Sequence, residues 1–371
     1  MRDRILQQSK APEISRRLGA ATIVALLLVG CQSSGPQAIA LVPPPPVAIA
    51  PPVPKPVFVA PKPVAPAGLA SSIDALVRQF NGKVGVAVQS IDRGWSVDVN
   101  GGTRLPQQSV SKLWVALTVL DFRDSGRLTL DDPVTVTRED LTLFHQPIAA
   151  MVKGDGFKTT VGELLVRALT MSDNTANDRL LRFVGGPGAV RDVINRKKLG
   201  DIRFGPGERL LQSQTAGLAW KPQYAFGNGF IRARAELPVL ERRKAYEDYV
   251  ANPPDGAAPA AIATALTRLK KGELLSANST QWLIGTMEES KTGRRRLRGA
   301  VPPGWEFGHK TGTGQDLAGR TAGFNDVGIL TAPDGQSYTI AVMIGDTGRP
   351  IIERQALMQS VLSTVVAHHA G

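Results

Sequence analysis

Val84-Gly85-Val86-Ala87-Val88 and, past the turn Asp92-Arg93-Gly94, Trp95-Ser96-Val97-Asp98-Val99 decide how this chain is read. Both runs alternate and are rich in β-branched residues, so they predict an antiparallel strand pair. A matching signal stands at the other end of the chain. Gly328 to Thr331 and Tyr338 to Ile344 read as strands about the turn Pro333-Asp334-Gly335, and Glu353 to Ala367 as a closing helix. A short helix from about Ser72 to Phe80 precedes the first pair. Helical patterns fill the middle, at Ser109 to Phe122, Leu164 to Met171, Gly188 to Lys197, Ala260 to Lys271 and Gln281 to Ser290. Thr160-Val161-Gly162-Glu163 reads as a capping box, threonine and glutamate three apart satisfying the open amides of a first turn. Strands at both ends with helices between predict an α/β fold: an antiparallel sheet built from both termini, flanked by helices, with a helical subdomain inserted.

The chain has 371 residues, 42% of them hydrophobic and 20% charged, which suits an ordinary globular protein. Its formal net charge of +12 would fit an anionic partner. Part of that charge sits at the extreme N-terminus, however, and no aromatic-and-basic groove accompanies the rest, so nucleic acid is not expected as a partner. Cys31 is the only cysteine, which rules out an intramolecular disulfide and a cysteine-based metal site. Arg2, Arg4, Lys10, Arg16 and Arg17 precede the apolar run Ala20 to Val29, a pattern that suits a signal-peptide core. Leu28-Val29-Gly30-Cys31 then resembles a bacterial lipobox, which implies cleavage before Cys31 and a lipid on its sulfur. Gly35 to Ala67 is dominated by proline, alanine and valine and reads as a semi-rigid spacer; a proline-rich ligand for another domain is the rival reading. The expected organisation is a signal peptide over 1–31, a linker over 32–68 and a catalytic domain over 69–371. The expected location is exported, periplasmic and lipid-anchored, with Gln32 after the anchor leaving the protein free to reach the outer membrane.

Three short constellations carry chemistry. In Ser109-Val110-Ser111-Lys112 the serine and lysine lie a helical turn apart, so the amine of Lys112 reaches the hydroxyl of Ser109 and can take its proton. Leu113, Ala116, Leu117 and Leu120 form an apolar stripe that would hold this turn firmly. Ser172-Asp173-Asn174 follows a helix: Asn174 offers a donor and an acceptor for a substrate amide, and Ser172 can relay a proton to a leaving nitrogen. In Lys310-Thr311-Gly312-Thr313-Gly314 a cation and hydroxyls suit a substrate carboxylate, and the glycines would let a ligand lie against the strand. Lys291-Thr292-Gly293 spells the same triplet, but it ends a helix and runs into Arg294-Arg295-Arg296, and it is rejected. Each constellation alone is weak; a serine and lysine so spaced also arise on a solvated helix face, and Ser, Asp and Asn are favoured in any turn.

Taken in order, the three resemble the motif set of class A beta-lactamases and penicillin-binding proteins. Met171-Ser172-Asp173-Asn174-Thr175-Ala176-Asn177, Gly272-Glu273-Leu274-Leu275-Ser276 and Pro303-Gly304-Trp305 extend the likeness, which runs from about Leu69 to the end. It implies a beta-lactamase-like serine hydrolase with Ser109, Lys112 and Ser172 as catalytic residues. Asn174, Lys310, Thr311 and Thr313 would hold a small-molecule beta-lactam, with the backbone amides of Ser109 and Thr313 as oxyanion hole. No cofactor or metal is implied, and a monomer is expected. Class A enzymes also carry a glutamate, with asparagine four residues on, that together hold the hydrolytic water. The best match is Glu208-Arg209-Leu210-Leu211-Gln212, with glutamine in place of asparagine; Glu247 is the second candidate. Arg320 is the candidate guanidinium for the substrate carboxylate, in a segment from Gln315 to Gly323 longer than the family's. Between Gln214 and Pro254 lies an insertion without a family counterpart. A D,D-peptidase-like hydrolase acting on cell-wall peptide shares the first three motifs, and a non-catalytic wall-binding lipoprotein would keep only fold and anchor.

Overall fold

The computed structural model describes residues 63–369, together with Gly35. Cys31, its leader and most of the proline-rich linker lie outside the described residues.

Both ends of the folded region meet in one sheet. β1 (Lys83–Ser90) pairs with β2 (Ser96–Val99) across the expected turn, and its other edge pairs with β11 (Ser337–Asp346), followed by β10 (Phe324–Thr331) and β7 (Glu306–Thr313). The order is β2-β1-β11-β10-β7 and every pairing is antiparallel. Strand alternation feeds two cores. Val84, Val86, Val88, Ile340, Val342 and Ile344 face helices α1 (Leu69–Phe80) and α11 (Ile351–Ala367). Ala87, Val327, Ile329, Ala341 and Met343 face a larger, helical core. Three small ladders complete the strands: β3 (Leu105–Pro106) with β6 (Gly256–Ala257), β4 (Pro133–Val136) with β5 (Phe157–Thr160), and β8 (Asp316–Leu317) with β9 (Arg320–Thr321).

The helical core centres on α2 (Lys112–Asp124), surrounded by α3 (Val161–Val166), α4 (Asn174–Phe183), α5 (Pro187–Arg196), α9 (Pro259–Lys270) and α10 (Ala277–Glu288). The expected apolar stripe on α2 is a burial all round: every residue from Lys112 to Asp121 is buried, as befits a helix that crosses the middle of a core. Two helices are also less regular than expected. Gln108–Ser111 is a tighter 3-10 turn and α2 begins only at Lys112, while Arg167–Met171 widens into a π-helical turn, a deviation common at functional sites. At Thr160 half of the capping box forms: its hydroxyl accepts from the Glu163 amide, whereas the Glu163 carboxylate turns to Thr159 and Arg167. The remaining helices, α6 (Glu208–Thr215), α7 (Gly229–Glu236) and α8 (Val239–Ala251), belong to the loop and insertion segment.

Candidate active site

Ser109, Ser172, Asn174, Thr311 and Thr313 line a single cleft of about 530 Å³. Ser109, Ser172 and Asn174 arrive on separate elements, each aimed by a local backbone feature, while Thr311 and Thr313 share β7. Ser109 stands in the 3-10 turn ahead of α2, directly after Gln108, whose φ of 53° bends the chain out of β3. Ser172 sits at φ 60°, left-handed, where the π-helical turn ends; such strain in a serine persists only where its surroundings enforce it. Asn174 opens α4, capped by Asp173, whose carboxylate accepts from the Ala176 and Ile148 amides at 2.9 and 2.7 Å. Burial outweighs those bonds and lifts the Asp173 carboxyl above its usual range.

Lys112 is the hub. It is 1% exposed, and its Nζ donates to Ser109 Oγ at 2.8 Å, to Asn174 Oδ1 at 2.9 Å and to Glu208 Oε1 in a very close contact. All three ammonium donors are thus matched to acceptors, one of them the carboxylate that a buried cation needs. Lys310 differs. It is 0% exposed and donates to Ser172 Oγ at 2.9 Å and to the Thr311 carbonyl at 3.0 Å. Burial, with the Lys112 and Arg296 charges close by, pulls its ammonium well below the ordinary lysine value. The set can therefore activate a serine hydroxyl and pass a proton toward Ser172.

Glu208 is 4% exposed, at the first position of α6. Gln212 lies one turn along and donates from Nε2 to Glu208 Oε2 at 3.2 Å and to Gln108 Oε1 at 3.0 Å. Gln315 Nε2 donates in turn to the Gln212 side-chain oxygen at 3.1 Å. Glutamine in the asparagine position keeps its amide on the glutamate, so the carboxylate is fixed from both sides.

A model of the beta-lactamase enzyme family matches residues 68–368. The chain belongs to that family. It is 30% identical over 298 residues to the extended-spectrum beta-lactamase PER-1 of Pseudomonas aeruginosa, across 80% of this chain and 85% of PER-1. Among solved structures, the TLA-1 extended-spectrum beta-lactamase superposes with a TM-score of 0.68 at 28% identity, over 82% of this chain and 98% of that one. An ancestral class A beta-lactamase gives 0.63 at 29% identity, over 81% and 99%. The chain is a class A serine beta-lactamase.

Four readings of the sequence change with the structure. Arg320 is not in the beta-lactamase cleft: on β9, its guanidinium pairs closely with Asp346 and lies 3.8 Å from Glu247. Glu247, the second candidate base, is likewise exposed on α8 and away from Ser109 and Lys112. The cation that lines the cleft beneath β7 is Arg296, from the run that follows the rejected triplet. It donates to the Gly312 and Asn325 carbonyls at 2.9 and 2.6 Å and to Thr313 Oγ1 at 2.5 Å, and burial lowers its guanidinium to about 10. Thr292 and Gly293 of that triplet also line the cleft, Thr292 Oγ1 lying 2.8 Å from Thr311 Oγ1, whereas Lys291 is exposed. Finally, the glycines of the third motif serve packing before any ligand. A Cβ on Gly312 would stand 2.2 Å from the Gln107 carbonyl oxygen, and one on Gly314 1.7 Å from that of Ala322.

Asp178 and Asp255 went unread because only the fold gives them a role. The Asp178 carboxylate accepts from the Glu208 and Arg209 amides at 3.0 and 3.3 Å, capping α6, which has no cap of its own behind Gly207. Burial and the Glu208 charge raise its carboxyl. Asp255, pushed by burial to about 6, accepts from the Gln108 amide at 2.7 Å and from Tyr249. Among the described residues no group of three His, Cys, Asp or Glu side chains is placed to share a metal ion.

Proposed function

We propose that this beta-lactamase works through an acyl-enzyme on Ser109, with the roles divided as follows. Ser109 Oγ attacks the lactam carbonyl while its proton moves to Lys112; the amine accepts it when the proton of the Lys112–Glu208 pair rests on Glu208. The backbone amides of Ser109 and Thr313 bind the developing oxyanion. Lys112 passes the proton through Ser172 to the departing ring nitrogen. Return of the Glu208 proton to Lys112 then frees the carboxylate to draw a proton from water, whose oxygen attacks the ester carbonyl; Lys112 gives its proton to the departing Ser109 oxygen, which restores the serine and leaves the pair's proton on Glu208. Asn174 engages the substrate amide; Lys310, Thr311 and Thr313 engage its carboxylate, with Arg296 holding Thr313. The observation that carries this reading is the double contact of Lys112 Nζ with Ser109 Oγ and Glu208 Oε1. Brief exposure to a penicillin should add its mass to the wild type and leave Ser109→Ala unmodified; an equal adduct on the variant would overturn the assignment. A wild type that stalls as the adduct would instead favour the D,D-peptidase-like reading.

We further infer that the enzyme is a periplasmic lipoprotein, tethered through Cys31 to the outer membrane, and acts as a monomer. The basic leader, its apolar run and Leu28-Val29-Gly30-Cys31 support this. Cys31→Ala should shift the protein from the membrane fraction to a soluble or uncleaved form, and unchanged fractionation would refute the anchor.

A further inference from the structure

Arg234 and Arg242, both of the 214–254 insertion, form no ion pair among the described residues, although the charge of Asp316 reaches Arg234. Arg234, on α7, is half-buried in the wall of the cleft and donates closely to the backbone carbonyl of Asp316. Arg242, on α8, has its Nε buried and without a hydrogen-bond partner. The two are near enough that Arg242, after burial, is the next largest influence pulling Arg234 below the ordinary arginine value. Asp316, which lines the same cleft, accepts from Thr321 Oγ1 and offsets the repulsion only in part, since Arg234 still stays below the ordinary arginine value. Like charges brought together in a partly dehydrated wall are unfavourable until an anion joins them.

The other cations at the cleft belong to its β7 end, where the ring carboxylate is bound. Lys310 is bonded to Ser172, and Arg296 is spent on two carbonyls and Thr313. Arg234 stands apart from them, where Gln315 and Asp316 continue the chain past the end of β7. A cleft of about 530 Å³ holds a drug-sized molecule, with room beyond the bicyclic ring system. We propose that Arg234, backed by Arg242, forms an anion subsite for a carboxylate carried on the acyl side chain of the beta-lactam, a second negative charge besides that of the ring. The inference rests on the beta-lactamase reading.

Matched substrates test it: α-carboxybenzylpenicillin against benzylpenicillin, and a cephalosporin with a carboxyalkyl oxime against its methyl oxime. Arg234→Gln should lower kcat/KM for the member of each pair with a side-chain carboxylate about tenfold, mostly through KM, and leave the member without one within about twofold. Arg234→Lys should recover part of the loss, and raising salt should shrink the wild-type preference. A purely structural role, through the lost tie to Asp316, would slow both members alike and overturn the proposal, as would no change in either. The acylation rate, read by mass, gives the same ratio even in an enzyme that deacylates slowly, so failure of the subsite and failure of the hydrolytic reading remain distinct.

Discussion

The wall of the cleft formed by α2, α4 and β7 grows out of the large cores, whereas the wall formed by α6 and the insertion rests on two small clusters of its own. Leu211, Tyr246, Tyr249, Val250 and Ala322 make one cluster, and Leu143, Ala216, Tyr224 and Phe230 the other. The first wall carries the nucleophile and both buried lysines; the second carries Glu208, Gln212 and Arg234. They are joined by few but buried contacts: Lys112 to Glu208, Asp178 to the start of α6, and Gln108 to Gln212 and Tyr249. Segments with small cores open locally at lower free energy than the main core. The difference teaches where each half-reaction resides. Acylation depends chiefly on the rigid wall, with Glu208 holding one proton, and deacylation depends on how well the second wall is held against it.

The largest expected effect breaks the two walls apart chemically. Glu208→Gln keeps the size of the side chain but removes the carboxylate that contacts Lys112 and would activate water. It should take up penicillin at Ser109 more slowly, because Lys112 loses the carboxylate that holds its proton, yet release it on the order of a hundred- to ten-thousandfold more slowly, as for removal of a general base, so that the adduct accumulates. Accumulated acyl-enzyme, followed by mass against time, is the readout. Deacylation at the wild-type rate would move the base elsewhere, and Glu247, exposed on α8, is not placed to supply it.

The same contrast explains what the sequence could tell. Strand alternation at both termini and the spacing of Ser109 and Lys112 are local signals, and the first wall is built from regular elements that obey them. The second wall follows from tertiary neighbours. Asp178 caps a helix thirty residues away, as the 3.0 Å bond to the Glu208 amide shows, and nothing beside it in the sequence announces that. Gln212 looked like a departure from the family, yet its amide bridges Glu208 and Gln108. Arg296 carries one usable signal, its place in the run Arg294-Arg295-Arg296 directly after a triplet that repeats the third motif. Burial divides the two triplets: Lys310 is 0% exposed on β7, the edge strand of the sheet, while Lys291 is exposed after α10, so identical triplets have different chemistry.

The smallest expected effect concerns Arg320, and it sharpens the comparison because the family resemblance makes this residue the candidate for the substrate carboxylate. Its guanidinium joins the β8–β9 hairpin to Asp346 at the end of β11 and to Glu247 on α8, and it lies 5.3 Å over the ring of Tyr246. These are contacts on the outer side of the second wall, 44% exposed, where an ion pair contributes about 0–1 kcal/mol because water screens it. Arg320→Ala should therefore leave kcat/KM for benzylpenicillin within about twofold and lower Tm by no more than a few degrees. Steady-state kinetics with a thermal melt checks both. A loss of tenfold or more confined to KM would return the substrate carboxylate to Arg320. An equal loss in deacylation alone would show instead that the hairpin and α8, tied by this arginine, hold Glu208 in place from behind.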